Sequence, residues 1–139
     1  ETNLPLLIIY GSSDTTTPAD GSPSADGFFY EPASVLFHTW ADKMKCSDNV
    51  TKSVLQHSVE KGINCIARRE CEFPSREVQV CEIAGGGHHW PGQNESVGFC
   101  GEPLQREIFE SSSACDKHYK SINWGNEMIW DFLKEHRKD

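Results

Sequence analysis

The fold is decided by residues 4–14, which read Leu-Pro-Leu-Leu-Ile-Ile-Tyr-Gly-Ser-Ser-Asp. The continuous apolar run from Leu4 to Ile9 predicts a strand that is buried on both faces, as in a parallel sheet. A long loop with turn chemistry follows over residues 11–31, which are rich in Gly, Ser, Thr, Asp and Pro. Asp14 therefore stands just beyond the carboxyl end of a buried strand, the edge at which open α/β sheets bind ligands.

Two helices are predicted from apolar residues at helical spacing. The first can begin at Pro32 and is expected to end near Cys46; its apolar face comprises Leu36, Phe37, Trp40, Ala41 and Met44. The second is expected from near Asn123, a residue type that caps helices; its apolar face comprises Ile129, Phe132, Leu133 and His136. Trp40 and Trp130 lie on these helices, which favours packing in the core for both.

Further strands are predicted between the two helices. Residues 63–69 and 78–84 read as strands, the latter rich in β-branched residues, whereas 50–59 fits either a strand or a loop. Residues 91–121 form a long irregular insertion, of a length that is usually functional or tied by disulfides. The order of strand, loop, helix, strands, loop and helix is typical of the end of an α/β fold.

The expected fold class is α/β, with parallel strands and flanking helices, and incomplete without upstream sequence. A strand such as residues 4–9 needs parallel neighbours, and too few core strands are predicted for a closed doubly wound sheet. Either the rest of the core comes from upstream sequence, which we expect, or the strand predictions are wrong. The chain begins at Glu1 with no signal peptide, which also leads us to expect a longer precursor.

Charge and hydropathy exclude two classes of partner. The 139 residues carry a formal net charge of −8, and this acidic balance argues against nucleic acid, which is bound by clustered Lys and Arg. The longest apolar run, from Leu4 to Tyr10, is far too short to cross a bilayer. We therefore expect neither a nucleic-acid nor a membrane partner.

Cysteines and sequons point to the secretory route. The six cysteines are Cys46, Cys65, Cys71, Cys81, Cys100 and Cys115, an even number that suggests a disulfide framework. A zinc site is the alternative, but no two cysteines have the close spacing of zinc ligands. Asn49-Val50-Thr51 and Asn94-Glu95-Ser96 are candidate glycosylation sites. Together these features favour a secreted, extracellular glycoprotein.

Two strand-end loops carry the candidate chemistry. Asp14 in the first loop is placed to orient an imidazole, although an Asp in such a loop is often only part of an Asx-turn. The second loop, residues 85–92, reads Gly-Gly-Gly-His-His-Trp-Pro-Gly, and its glycines allow a sharp bend and a close approach of other backbone. His88 is placed to act as a general base; the alternative is a turn that merely exposes His88 and His89. Neither histidine belongs to a metal-ligand spacing, so no metal is expected.

The order of these residues fits a catalytic triad. Hydrolases with the α/β-hydrolase fold arrange the triad as Ser, then acid, then His along the chain, and Asp14 precedes His88. The nucleophile should then lie upstream in a Gly-x-Ser-x-Gly elbow, and no such motif occurs in these 139 residues. Ser12 and Ser13 lie in the acid loop itself and are poor candidates for the nucleophile.

Four segments carry a resemblance that covers nearly the whole chain. They are the strand and loop from Pro5 to Pro18, the helix from Val35 to Cys46, the loop at 85–92, and the stretch from Ile129 to Phe132. The loop with Gly-Gly-Gly-His and Trp-Pro-Gly is the most specific of the four. In these segments the chain resembles the C-terminal part of the polyhydroxybutyrate depolymerase-like esterase family of α/β-hydrolases, which includes feruloyl and acetylxylan esterases.

The resemblance implies a secreted serine-type carboxylic ester hydrolase without a cofactor. Residues 1–139 would be the C-terminal segment of an α/β-hydrolase catalytic domain, with Asp14 as the triad acid and His88 as the base. The partners would be an ester substrate, such as one linked to a polysaccharide or polyester, and the N-terminal part of the same catalytic domain. Trp90 and His89 would contact substrate, although packing of its own loop is an equal explanation for Trp90. Following the family pattern, Cys46 would pair with Cys71. Cys100 and Cys115 would then close the insertion, which leaves Cys65 with Cys81.

The chain also departs from the family in ways that leave other functions open. Tyr10 stands where the family commonly has His, and His89 where it commonly has Thr; we expect both to tune the site. The long insertion leaves substrate specificity undetermined. The alternative function is a catalytically inactive, carbohydrate-binding esterase-like module that uses tryptophans: Trp40, Trp90, Trp124 and Trp130. A structural or interaction fragment is a third possibility, supported only by the missing nucleophile.

Overall fold

The computed structural model describes residues 4–53, 62–73, 76–88, 90 and 124–136. They form one four-stranded sheet and two helices. In chain order, the elements are β1 (Leu6–Gly11), α1 (Ala33–Lys43), β2 (Val50–Ser53), β3 (Ile63–Arg68), β4 (Val78–Ile83) and α2 (Trp124–Glu135). The predictions for Cys100, Cys115, Asn94, His89, the insertion at 91–121 and the Asn123 cap lie outside the described residues.

The sheet has the strand order β1-β4-β3-β2 and is mixed. β1 runs parallel to β4, with Leu6 opposite Val78, as the apolar run of β1 predicts. The other two pairs, β4 with β3 and β3 with β2, are antiparallel, whereas parallel strands were expected. The reason is that short connections, residues 54–62 and 69–77, join these strands, whereas a parallel return needs a crossover of a dozen or more residues.

The two helices cover opposite faces of the sheet. Side chains alternate between the faces along each strand. On one face, Phe37 and Ala41 of α1 pack against Val78 and Val80 of β4. On the other face, Met128 and Phe132 of α2 pack in a cluster with Ile63, Cys65, Cys81 and Ile83. β1 contributes Leu6, Ile8 and Tyr10 to the first face and Leu7 and Ile9 to the second.

The expected packing of two tryptophans in the core was wrong. Trp40 is 39% exposed and lies under the Lys43 ammonium group, whereas Phe37 and Ala41 face the sheet. Trp130 is 62% exposed, because Met128 and Phe132 form the buried stripe of α2. The spacing of apolar residues gives the direction of a helix's apolar face only to within one residue on either side. Contact with the sheet then determines which of these residues are buried.

Other details of the helices also differ from expectation. The first helix was predicted to begin at Pro32, and α1 begins one residue later, with Pro32 as its N-cap residue. α1 ends at Lys43, before the predicted end near Cys46, and Lys45 adopts a positive φ of 52°. His136, which was predicted on the apolar face of the second helix, has a side chain that is only 9% exposed. Its Nδ1 lies 2.7 Å from the Phe132 carbonyl oxygen, and its Nε2 lies 3.5 Å from Glu77.

Two disulfides and a buried arginine stabilise the antiparallel half of the sheet. Cys46 is bonded to Cys71, and Cys65 on β3 is bonded to Cys81, its direct partner on β4. The Cys46–Cys71 bond agrees with the pairing that the family resemblance implied, and the Cys65–Cys81 bond agrees with the pairing expected for the remaining cysteines. The buried Arg68 guanidinium donates to the carbonyl oxygens of Cys46 and Ser47 and pairs with Asp42 and Asp48, each at 2.6 Å. Disulfides persist in oxidising compartments, so the chain is expected to mature in one.

Two observations concern the environment of the chain. Asn49, in the first sequon, is exposed just before β2, so its amide is accessible for glycosylation. None of the helices in the described part of the chain is long and apolar enough to span a bilayer.

Candidate functional site

The acid loop, residues 12–17, follows β1 and holds Asp14 in a fixed orientation. The Asp14 Oδ1 atom accepts hydrogen bonds from the backbone N–H groups of Thr16 at 2.8 Å and Thr17 at 2.9 Å. The Thr17 hydroxyl donates to Asp14 Oδ2 at 2.7 Å. This is the Asx-turn that was the alternative explanation for Asp14. Both backbone hydrogen bonds of the turn go to Oδ1. Oδ2, which accepts from the Thr17 hydroxyl, is thereby oriented and can still accept a hydrogen bond from another donor.

The base loop, residues 84–88, follows β4 and lies directly against the acid loop. Gly85 has a φ of +72°, a conformation that side chains disfavour, and it turns the chain at the end of the strand. The base loop also lies so close to β1 that there is no room for a side chain at Gly11, where a Cβ atom would lie 2.1 Å from the Gly86 carbonyl oxygen. The glycines therefore permit the backbone approach that the sequence predicted for this loop.

Asp14 and His88 meet where the two loops converge. The His88 Nδ1 atom lies 3.0 Å from Asp14 Oδ2, within hydrogen-bonding distance. The Thr17 hydroxyl oxygen lies 3.3 Å from the same Nδ1. The Asp14 side chain is 8% exposed and that of His88 is 49% exposed. Because Nδ1 faces the carboxylate, the opposite ring nitrogen, Nε2, is directed away from Asp14.

Asp14 is held in its ionised form. Burial alone would raise the pKa of the carboxyl group, but hydrogen bonds from Thr17, His88 and Thr16 outweigh burial and lower the pKa below its usual value. Because this pKa is lowered, the pairing of Asp14 with His88 is present at neutral pH and is lost as the pH falls through the lowered pKa. An ionised Asp14 fixes a proton on Nδ1 of a neutral His88, which leaves Nε2 as the acceptor.

A second polar pair joins the two strands just before these loops. Tyr10 and Glu82 are direct partners in the β1–β4 register, and the Tyr10 hydroxyl donates to Glu82 Oε2 at 3.1 Å. Burial, followed by the negative charge of Glu82 and the hydrogen bond to it, raises the pKa of Tyr10 to about 12. Both partners line an open polar cleft of about 470 Å³ that also contacts Asp14 and Ser34.

Tyr10 is expected to ionise late in an alkaline titration. The protein has three tyrosines, and absorbance near 295 nm should show one phenol that titrates near pH 12 and disappears in Tyr10→Phe. Because the folded-state pKa is raised, Tyr10 contributes stability that is lost as the pH rises through about 12. Glu82→Gln should lower the pKa of Tyr10 but leave it above the ordinary value, since burial remains. An unchanged titration in Glu82→Gln would contradict the pairing.

The two other predicted site residues are Trp90 and His89. Trp90 is 45% exposed, two residues after His88, so it has an accessible ring near the base loop. His89 lies outside the described residues. No group of three or more His, Cys, Asp or Glu side chains in the described ranges is arranged to hold a metal ion.

The sequence did not predict a role in the site for three further residues, Thr17, Ser12 and Glu82. Thr17 orients Asp14 from the same turn, and a hydroxyl residue three positions after an Asp was the available signal. Ser12 and Glu82 act across the two strands, and no local pattern indicates such contacts.

Comparisons of the chain with protein-family models, with curated proteins and with solved structures found no match.

Proposed function

We propose that this chain supplies the acid and the base of a serine-type carboxylic ester hydrolase whose nucleophile lies outside these 139 residues. One observation carries the proposal: Asp14 and His88 are hydrogen-bonded at 3.0 Å from loops that follow adjacent parallel strands. A carboxylate that orients a half-exposed imidazole, with Nε2 free to face a substrate, is the acid–base half of a triad. A simple Asx-turn would not require the histidine at all.

The proposed mechanism assigns one role to each residue. His88 Nε2 would take the proton of a serine hydroxyl as that oxygen attacks the ester carbonyl, and would then return the proton to the leaving alcohol. Asp14 would hold the imidazole in the Nδ1–H tautomer and stabilise the imidazolium that forms. The nucleophile and the oxyanion donors must come from other sequence, because no Gly-x-Ser-x-Gly motif occurs here. The acyl group, whether ferulate, acetate or a hydroxyalkanoate, is not specified by these residues.

The resemblance to the polyhydroxybutyrate depolymerase-like family supports the same function, with an ester linked to a polysaccharide or polyester as substrate. The two disulfides fit an extracellular enzyme that matures along the secretory route. Trp90, exposed beside the base loop, would contact the substrate.

The test compares the full-length protein with residues 1–139 alone. The full-length protein should hydrolyse a simple aryl ester and be labelled by a serine-directed phosphonate. The 139-residue chain should do neither, because an acid and a base cannot form an acyl-enzyme without a nucleophile. Hydrolysis by the 139-residue chain would place the nucleophile within it and overturn this assignment. A full-length protein that neither hydrolyses the ester nor is labelled would overturn the enzyme function itself.

A carbohydrate-binding module without catalysis is the second candidate, favoured by the exposure of Trp40, Trp90 and Trp130. Exposed aromatic rings are suited to stacking on sugars. However, Trp40 on α1 and Trp130 on α2 lie on helices that cover opposite faces of the sheet. These two rings therefore cannot form one continuous platform, and the Asp14–His88 pair would have no role. Binding to insoluble xylan or cellulose by a protein inactive on esters would favour this candidate.

A further inference from the structure

Besides the contacts of His88 with Asp14 and Thr17, three hydrogen bonds connect the start of the acid loop to the end of β4 and the base loop. The Ser12 N–H group donates to the Ile83 carbonyl oxygen at 3.0 Å and continues the β1–β4 ladder, and the Ser13 N–H group donates to the Gly86 carbonyl oxygen at 2.9 Å. The third bond involves a side chain: the Gly85 N–H group donates to Ser12 Oγ at 2.8 Å. Of these three bonds, only the third depends on the identity of a side chain, so mutation can remove it and leave the two backbone bonds in place.

The Ser12–Gly85 bond lies close to both members of the catalytic pair along the chain. Ser12 precedes Asp14 by two residues, and Gly85 precedes His88 by three. Gly85 is also the residue whose positive φ turns the chain out of β4. Its amide would otherwise have no strand partner at this turn, and backbone donors at the ends of elements are commonly satisfied by hydroxyl side chains. The direction in which the base loop leaves the sheet is therefore linked to Ser12.

We propose that Ser12 is a positioning residue, whose hydroxyl accepts the Gly85 amide and thereby holds His88 Nδ1 against Asp14 Oδ2. The inference rests on the proposed function for its effect on turnover, but its effect on the His88 ring is independent of any substrate. Without the bond, the base loop would sample other orientations. Neutral His88 would then populate the Nε2–H tautomer, in which Nε2 cannot accept a proton.

The experiment uses the full-length protein with Ser12→Ala, the conservative variant Ser12→Thr and the matched control Ser13→Ala. Ser12→Thr keeps a hydroxyl at the same position, and Ser13→Ala keeps the backbone bond from residue 13 to Gly86. The first readout is the ¹⁵N chemical shift of the two His88 ring nitrogens at alkaline pH, which distinguishes the tautomers. Ser12→Ala should shift the His88 tautomer toward Nε2–H and speed hydrogen exchange at the Gly85 amide. Ser12→Thr and Ser13→Ala should resemble the unmodified protein.

The second readout is ester hydrolysis. Ser12→Ala should lower kcat about tenfold with little change in KM, the size expected when one hydrogen bond is lost from the geometry of the transition state. Ser12→Thr should restore most of this loss. Amide resonances outside the two loops should not change, which separates positioning from a loss of folding.

Two outcomes would overturn the positioning role. One is a His88 ring spectrum in Ser12→Ala that matches the unmodified protein. The other is an unchanged kcat in Ser12→Ala when His88→Ala abolishes activity. If His88→Ala itself leaves hydrolysis intact, the proposed function fails instead, and the ring spectrum still decides whether Ser12 holds the pair.

Discussion

Replacing His88 with alanine in the full-length protein is expected to lower kcat for ester hydrolysis by roughly 10⁴–10⁶-fold, the range for removal of one member of a catalytic triad. The reason is that Nε2 of His88 is the proposed acceptor of the nucleophile's proton, and the Asp14 carboxylate at 3.0 Å has no other imidazole among the described residues to orient. The measurement is a full kinetic analysis on a soluble aryl ester. Folding is checked by the thermal unfolding midpoint, which should change little because His88 is half exposed.

His89→Ala is the matched control, because the same residue type is removed one position along the same loop. It should retain most of the activity, with any loss expressed in KM, since His89 is predicted to contact substrate. If His89→Ala is the inactive variant, the base has been assigned one residue too early. If neither substitution matters, the triad hypothesis is wrong and the carbohydrate-binding function takes its place.

Gly11→Ala is expected to destabilise the protein by about 2–4 kcal/mol, as severe overpacking does, and to abolish hydrolysis. The added Cβ atom would lie 2.1 Å from the Gly86 carbonyl oxygen and 2.3 Å from the Gly86 carbonyl carbon. Both atoms belong to the backbone, so the clash cannot be relieved by a change of side-chain rotamer. The base loop must move away from β1, which separates His88 from Asp14. Denaturant unfolding and ester hydrolysis measure the two effects.

Gly27→Ala provides the comparison for this substitution. Its Cβ atom would meet nothing within 4 Å, and its φ of +80° adds only the strain of a left-handed residue, about 1–2 kcal/mol. Activity should therefore be retained in Gly27→Ala. Equal losses of stability and activity in the two variants would contradict the close approach of the acid and base loops.

The positions of the site residues could be predicted because they depend on local patterns. The apolar run of β1 ends just before Asp14, and the β-branched stretch of β4 runs into the glycines before His88. When two strands lie side by side and parallel, their carboxyl ends share one edge of the sheet. Two strand-end loops on adjacent parallel strands therefore meet there, and the pair Asp14–His88 forms.

The antiparallel half of the sheet and the buried helix faces could not be predicted in the same way. The short connection at residues 69–77 requires antiparallel pairing only if β3 and β4 are neighbours, and β3 carries no residue pattern that indicates which strand it lies beside. In α1, Phe37 and Trp40 are both large and apolar, and contacts with Val78 and Val80 determine that Phe37 is the buried one. The bond from Gly85 to Ser12 likewise joins residues far apart in sequence.

The covalent cross-links are distributed unevenly across the sheet. Cys65–Cys81 joins β3 to β4, and Cys46–Cys71 joins the segments that follow α1 and β3, whereas β1 contains no cysteine and is attached to β4 by non-covalent contacts. Elements held in this way open in local fluctuations that cost less free energy than global unfolding. We therefore expect the strand that carries the acid to separate from the strand that carries the base at a lower free-energy cost than global unfolding. Mild heat or denaturant would separate them while the cross-linked strands remain folded, so inactivation would precede the loss of the sheet.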